Sequence, residues 1–230
     1  MPVVAAVSFL NSVPLVDGLD AAAGVEVRRA VPSRLSALLE RGEADVALCP
    51  TIDFQRSRIP LEIVPCGGIA SRSTTHTVRL FSRRPISTVE RIAVDGDSHT
   101  SVALLAVLLD ARWGRRPALV PMPGPAAADP SDALLLIGDK VVTCEPPSDR
   151  FPYQLDLGEA WRELTGMPFV FATWMARAGA DLGSLPELLT ATRRRNHDRR
   201  RELAARHAAA LGEPRGTCRS CSTTRSAVRS

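Results

Sequence analysis

The chain has 230 residues, 45% of them hydrophobic and 23% charged, with a formal net charge of +4 and no apolar run near the roughly 18 residues that a membrane helix needs. Such a length admits one or two soluble domains with real cores and argues against a membrane-spanning protein. Of the 29 basic and 25 acidic residues, 11 arginines and 5 acids fall from Asp181 onward, so the body before it is near neutral, and three Trp, one Tyr and six Phe leave few rings for stacking on nucleic acid bases.

Residues 3–7 form an apolar strand that runs into Ser8-Phe9-Leu10-Asn11-Ser12 and a short helical stretch. A strand end that meets a helix start presents free backbone N–H groups, where an α/β protein can hold an anion. Residues 25–31 are the next apolar, β-branched strand. Leu35, Leu38 and Leu39 then share a helical face, with Ser33 as N-cap and Gly42 as the stop, and residues 45–49 read as a strand. A strand, a helix and a strand in that order predict a parallel sheet.

A strand over 77–82 follows, Pro85 and Ile86 open a new segment, and Ile92-Ala93-Val94 is a buried strand that repeats the strand-to-helix join at Ser98-His99-Thr100-Ser101. Two such joins suit a small molecule that carries two carboxylates. Residues 102–109 are apolar at every position, which predicts an enclosed helix. Strands at 119–121 and 133–139 flank a Pro/Ala/Gly loop over 123–130. Asp156 caps the next helix, Glu159 occupies the capping-box position and Gly166 closes it. Residues 168–175 are a strand of large side chains, and a helix over 185–211 has a break near Asn196.

The arginine runs at 193–195 and 199–201 read as a solvated helix face. From Pro214 the polar tail has nothing to bury and is expected to be disordered. The first residues lack a basic signal region, so the chain is expected in the cytoplasm with its five cysteines, Cys49, Cys66, Cys144, Cys218 and Cys221, as free thiols. The Cys218-Arg219-Ser220-Cys221 pair stands alone in that tail and is not read as a zinc or redox site. Two α/β blocks joined by extended segments predict two lobes around a cleft: residues 1–80 with 175–213, then 81–174, with 214–230 as the tail.

Several segments, in this order, resemble the chorismate dehydratases of the menaquinone biosynthesis family, which serve the futalosine route. They are Ser8-Phe9-Leu10-Asn11 with Pro14-Leu15, Ile69-Ala70-Ser71, Leu80-Phe81-Ser82, Thr100-Ser101-Val102-Ala103-Leu104-Leu105, Ile137-Gly138-Asp139, and the stretch from Asp156-Leu157-Gly158-Glu159-Ala160-Trp161 to Phe171-Ala172-Thr173-Trp174. The resemblance runs from residue 3 to about residue 180 and fades after Leu211, which implies a first lobe shortened at its C-terminal end. It implies an α/β fold of the type II periplasmic-binding-protein kind, with the ligand between two lobes. It also implies a lyase that converts chorismate, a dicarboxylate, to 3-[(1-carboxyvinyl)oxy]benzoate, with no cofactor, no metal, no nucleic acid and no membrane partner. Phe9 departs from the family's usual Tyr, and Lys140-Val141 from its usual Ala-Leu.

The resemblance and the strand ends together nominate the site. Asn11 and Ser71 are the expected catalytic residues; Ser8, Ser98, Thr100, Ser101, Gly138, Asp139 and Phe169 are the expected substrate-binding ones. Seven of them have a plainer reading: a strand-end turn for Asn11, a loop turn for Ser71, N-capping for Ser98, Thr100, Ser101 and Asp139, and core packing for Phe169 with Phe171 and Trp174. His76 and His99 match no motif of the family, so the expected base is the substrate's own enolpyruvyl carboxylate. The rival readings are a ligand-binding module of the same shape, and the 1,4-dihydroxy-6-naphthoate synthase of the same pathway, whose N-terminal pattern differs from Ser-Phe-Leu-Asn.

Overall fold

The computed structural model of the chain describes residues 1–7, 9–22, 24–122 and 131–211. In chain order the first lobe contributes β1 (Val3–Val7), α1 (Val13–Val16), β2 (Glu26–Ala30), α2 (Pro32–Glu40), β3 (Val46–Pro50), α3 (Asp53–Arg56) and β4 (Leu61–Ser71). The chain crosses over residues 72–77 and builds a second lobe from β5 (Val78–Ser82), β6 (Arg91–Val94), α4 (His99–Trp113), β7 (Ala118–Pro121), β8 (Ala133–Ile137), α5 (Lys140–Thr143), β9 (Tyr153–Asp156) and α6 (Leu157–Thr165). It crosses back over residues 166–168 into β10 (Phe169–Arg177), then α7 (Leu185–Asp198) and α8 (Arg200–Leu211).

Each lobe is a five-stranded mixed sheet, ordered β2-β1-β3-β10-β4 in the first and β7-β6-β8-β5-β9 in the second. The expected parallel unit is there, with β1 parallel to both β2 and β3, while β10 runs antiparallel between β3 and β4. The lobe boundaries differ from the sequence reading. The crossings lie at 72–77 and 166–168, and the strand assigned by sequence to the second lobe pairs entirely in the first sheet. The choice of partner is made by long-range pairing, to which the local pattern of a strand is blind. The tail expected from Pro214, with Cys218 and Cys221, and the loop over 123–130 lie outside the described residues.

Two main apolar cores follow the two sheets, and a smaller cluster of Phe81, Leu136, Val141 and Phe151 lies in the second lobe. Leu35, Leu39, Leu48 and Trp174 are fully buried in the first, and Leu80, Ile92, Leu105, Leu108 and Leu135 in the second. Phe9 and Ile69 pack against both cores and so sit where the lobes meet. The composition of α4 predicts a helix enclosed all round, but the structure differs: Leu104, Leu105, Leu108 and Leu109 are buried, whereas Ala106 is exposed and Val107 is 51% exposed. It lies on one face of the sheet, so its opposite stripe meets solvent whatever its composition. Cys49 and Cys66 are free and buried. Among the described residues no helix is long and apolar enough to cross a membrane.

The caps explain where the helices stand. Pro32 opens α2 behind an extended Val31, so the helix begins one residue before the expected cap Ser33. Asp156 accepts from the N–H groups of Gly158 and Glu159, and Gly166 closes α6 at φ +73°. The break expected near Asn196 falls at Arg199, because Asn196 is held inside α7, fully buried, with its Nδ2 donating to the Asp17 carbonyl at 2.9 Å.

Candidate functional site

The cleft between the lobes encloses a cavity of about 330 Å³, at the small end of the size range for ligand pockets. Its wall combines the residues after β1, the end of β4, the start of α4 and the middle of β10. Asn11 stands on the one-turn helix Leu10–Ser12 that follows β1, with its side chain exposed to the cleft. That turn is fixed from beneath by Ser12, whose buried hydroxyl lies 2.8 Å from the Val7 carbonyl and 2.7 Å from the Phe9 carbonyl.

Opposite Asn11 is the N-terminus of α4. Ser98 is its N-cap and accepts from the Ser101 N–H at 3.4 Å and from the Ser101 hydroxyl at 3.1 Å. Both serines are buried and both line the cavity. The first turn of a 15-residue helix has N–H groups without intrahelical acceptors and carries partial positive charge, which favours an anion there.

Ser71 also lines the cavity, yet its hydroxyl is engaged locally, 2.5 Å from the Ser73 carbonyl, and accepts from the Ser73 N–H at 3.2 Å. Gly158 makes room for this turn, since a Cβ there would stand 2.5 Å from the Ser73 oxygen. The structure thus brings Asn11, Ser71, Ser98 and Ser101 to one cavity. Ser8 lies outside the described residues.

Four other candidates lie outside the cavity wall, each for a visible reason. The Thr100 hydroxyl is buried and accepts from the Ile52 N–H of the first lobe at 3.2 Å. Asp139 accepts from the Leu10 N–H at 3.2 Å, so its carboxylate faces the opposite lobe rather than a ligand. Burial pushes the Asp139 carboxyl up, against the Leu10 N–H that lowers it. Gly138 meets the Phe9 ring, and the Phe169 ring packs edge-on against Trp161 and Phe171, with centroids 5.1 and 4.7 Å away. Phe171, two residues further along the same strand face, is the aromatic side chain that reaches the cavity.

Gly138 has φ +68°, and a Cβ there would stand 2.9 Å from the Phe9 ring. Gly138→Ala is therefore expected to cost about 1–2 kcal/mol in denaturant unfolding, from the left-handed backbone alone, with the ring contact adding to it.

No charged side chain lines the cavity among the described residues. Charges are instead paired just behind it. Lys140 Nζ lies 2.9 Å from both oxygens of the buried Asp95 and 2.6 Å from Asp97. Burial raises the Asp95 carboxyl, which the Lys140 ammonium opposes, so the unusual Lys140 offsets two acids at the approach to α4. Among the described residues no three His, Cys, Asp or Glu side chains converge as a metal-binding set. The site can therefore grip acidic groups through neutral donors and a helix N-terminus. The sequence reading did not foresee the contributions of Thr74, Thr75 and Thr77, which the crossing segment brings to the wall.

Residues 2–224 match the protein family described as menaquinone biosynthesis. The match runs past Leu211, where the resemblance read from the sequence fades. The chain is 30% identical over 209 residues to a chorismate dehydratase of Thermus thermophilus, covering 82% of this chain and 75% of that protein. Among solved structures it is similar in fold to a protein of Archaeoglobus fulgidus, with a TM-score of 0.65, 16% identity and coverage of 95% and 84% of the two chains. It is also similar in fold to an alkanesulfonate-binding protein of Xanthomonas axonopodis, with a TM-score of 0.58, 14% identity and coverage of 93% and 82%. The two-lobed type II periplasmic-binding-protein fold expected from the sequence is the fold of this chain.

Proposed function

The chain belongs to the menaquinone biosynthesis family, and from that premise we propose that it removes water from chorismate to give 3-[(1-carboxyvinyl)oxy]benzoate. The observation that carries the reading is the uncharged cavity wall, with Asn11 on one side and the start of α4 on the other. Chorismate has two carboxylates. One sits at the α4 N-terminus, where the Ser98 hydroxyl and the helix N–H groups donate to it. The other, on the enolpyruvyl group, lies near Asn11.

In the reaction the proton leaves the ring carbon that bears the enolpyruvyl ether, and its electron pair forms the new ring double bond. The neighbouring hydroxyl departs and takes up a proton as water. Since the described wall offers no ionisable side chain, the enolpyruvyl carboxylate receives the ring proton and passes it on to the leaving hydroxyl. Aromatisation drives the step downhill. The protein's part is to orient the carboxylate and to donate to the departing oxygen, the role assigned to Asn11, while Ser71 holds the turn beside it. His76 is exposed on the crossing segment, and the ring of His99 is turned to the first lobe, so neither is assigned as the base.

The test is direct. Purified protein mixed with chorismate is expected to consume it and to release one enolpyruvyl benzoate per chorismate, followed by chromatography. Retention of chorismate without product would assign the cleft to a ligand-binding module instead.

A further inference from the structure

Three backbone groups of the first lobe donate across the cleft. The Leu10 N–H reaches the Asp139 carboxylate at 3.2 Å, the Ser33 N–H the Asp97 carbonyl at 2.9 Å, and the Ile52 N–H the Thr100 hydroxyl at 3.2 Å. Beside the last of these lies a charged contact. His99 Nδ1 is 2.8 Å from Asp53 Oδ1, and Asp53, only 3% exposed, has its other oxygen taken by the Ser36 hydroxyl at 2.8 Å. Ser36 lies on α2, so the carboxylate is aimed at His99 by its own lobe.

His99 and Thr100 are the first two residues of α4, and they stand between Ser98 and Ser101, the two serines that line the cavity. We propose that Asp53, His99 and Thr100 are positioning residues: they clamp the start of α4 to the first lobe and thereby hold the anion-binding turn in the closed cleft. The proposal goes beyond the dehydration reading and rests on it only in taking the cleft as the ligand site.

The charged groups that face the imidazole from α3 are Asp53 and Arg56, while Asp95 and Asp97, on the loop before α4, are tied to Lys140. The hydrogen bond to Asp53 raises the His99 pKa, outweighing its partial burial and the repulsion from Arg56. The raised value belongs to the closed arrangement, because opening separates the pair. Protonation therefore favours closure, in full below the ordinary histidine pKa, and that contribution is lost as pH rises through the raised one.

The experiment is amide hydrogen exchange by NMR on the full chain without ligand, corrected for intrinsic rates and read at Leu10, Ser33 and Ile52. In the wild type, protection of these amides is expected to hold at low pH and to fall in one step as His99 loses its proton. His99→Gln retains a donor and lacks the charge, so the step should vanish. His99→Ala should lower the protection of Ile52 about tenfold at low pH. In turnover, His99→Ala should raise KM for chorismate by a similar factor and leave kcat within about twofold. Wild-type protection without a pH step, or protection unchanged in His99→Ala, overturns the proposal. Because the exchange readout needs no substrate, a chain that fails to dehydrate chorismate would sink the functional reading and leave this test intact.

Discussion

Asn11→Ala is expected to lower kcat for chorismate by a factor of about 100 to 1,000, which is about 3–4 kcal/mol of transition-state stabilisation. The size follows from where the amide stands. Asn11 faces a cavity whose described wall holds no charged side chain, so a donor removed there has no cationic neighbour to take over. The Leu10–Ser12 turn is fixed by the Ser12 hydroxyl rather than by Asn11, and the substitution should leave the fold intact. His99→Ala supplies the contrast, since it should retain kcat. Steady-state kinetics on the two variants decides the matter. A silent Asn11→Ala with an inactive His99→Ala would transfer the catalytic role to the histidine.

The largest loss of stability is expected from Asp156→Ala, about 3–5 kcal/mol in denaturant unfolding. One buried carboxylate serves both a helix and a crossing segment. It accepts from the Gly158 and Glu159 N–H groups at the head of α6, and from the Thr75 N–H, the Thr75 hydroxyl and the His76 N–H of the crossing, at 2.9 to 3.2 Å. A lost helix cap alone costs about 1 kcal/mol. The remainder comes from donors on the crossing that are left without an acceptor, and from His76, whose φ of +59° is held in place by its bond to Asp156. A loss near 1 kcal/mol would show that water replaces the carboxylate on the crossing side.

Asp156 also marks what was legible in advance. Its capping role, the closing Gly166 and the Ser98 cap are all local: an acceptor two or three residues from its donor, or a glycine at a left-handed turn. The alternation of β1, α2 and β3 was legible for the same reason. Strand β4 was not, because Pro65, Gly67 and Gly68 interrupt its pattern, and its place is fixed by β10. A Cβ on Gly68 would lie 2.5 Å from the Ala172 carbonyl, so the glycine serves the close approach of a strand a hundred residues away in sequence.

The candidate site divides in the same way. Asn11, Ser98 and Ser101 lie at strand-to-helix joins, which are visible as sequence, and these joins bring them to the cavity. Asp139 and Thr100 lie at similar joins, yet they bond to the other lobe, to Leu10 and Ile52. Whether a polar group at a strand end meets a ligand or the facing lobe depends on how the two halves dock. No local pattern carries that information.

The position of β10 also sets a sequence of events during synthesis. All five strands of the second sheet lie within residues 78–156, whereas the first sheet has a vacancy between β3 and β4 until residues 169–177 leave the ribosome. The lobe whose strands come first along this chain is thus the lobe completed last, and a chain halted before Phe169 would present two unpaired strand edges to its neighbours.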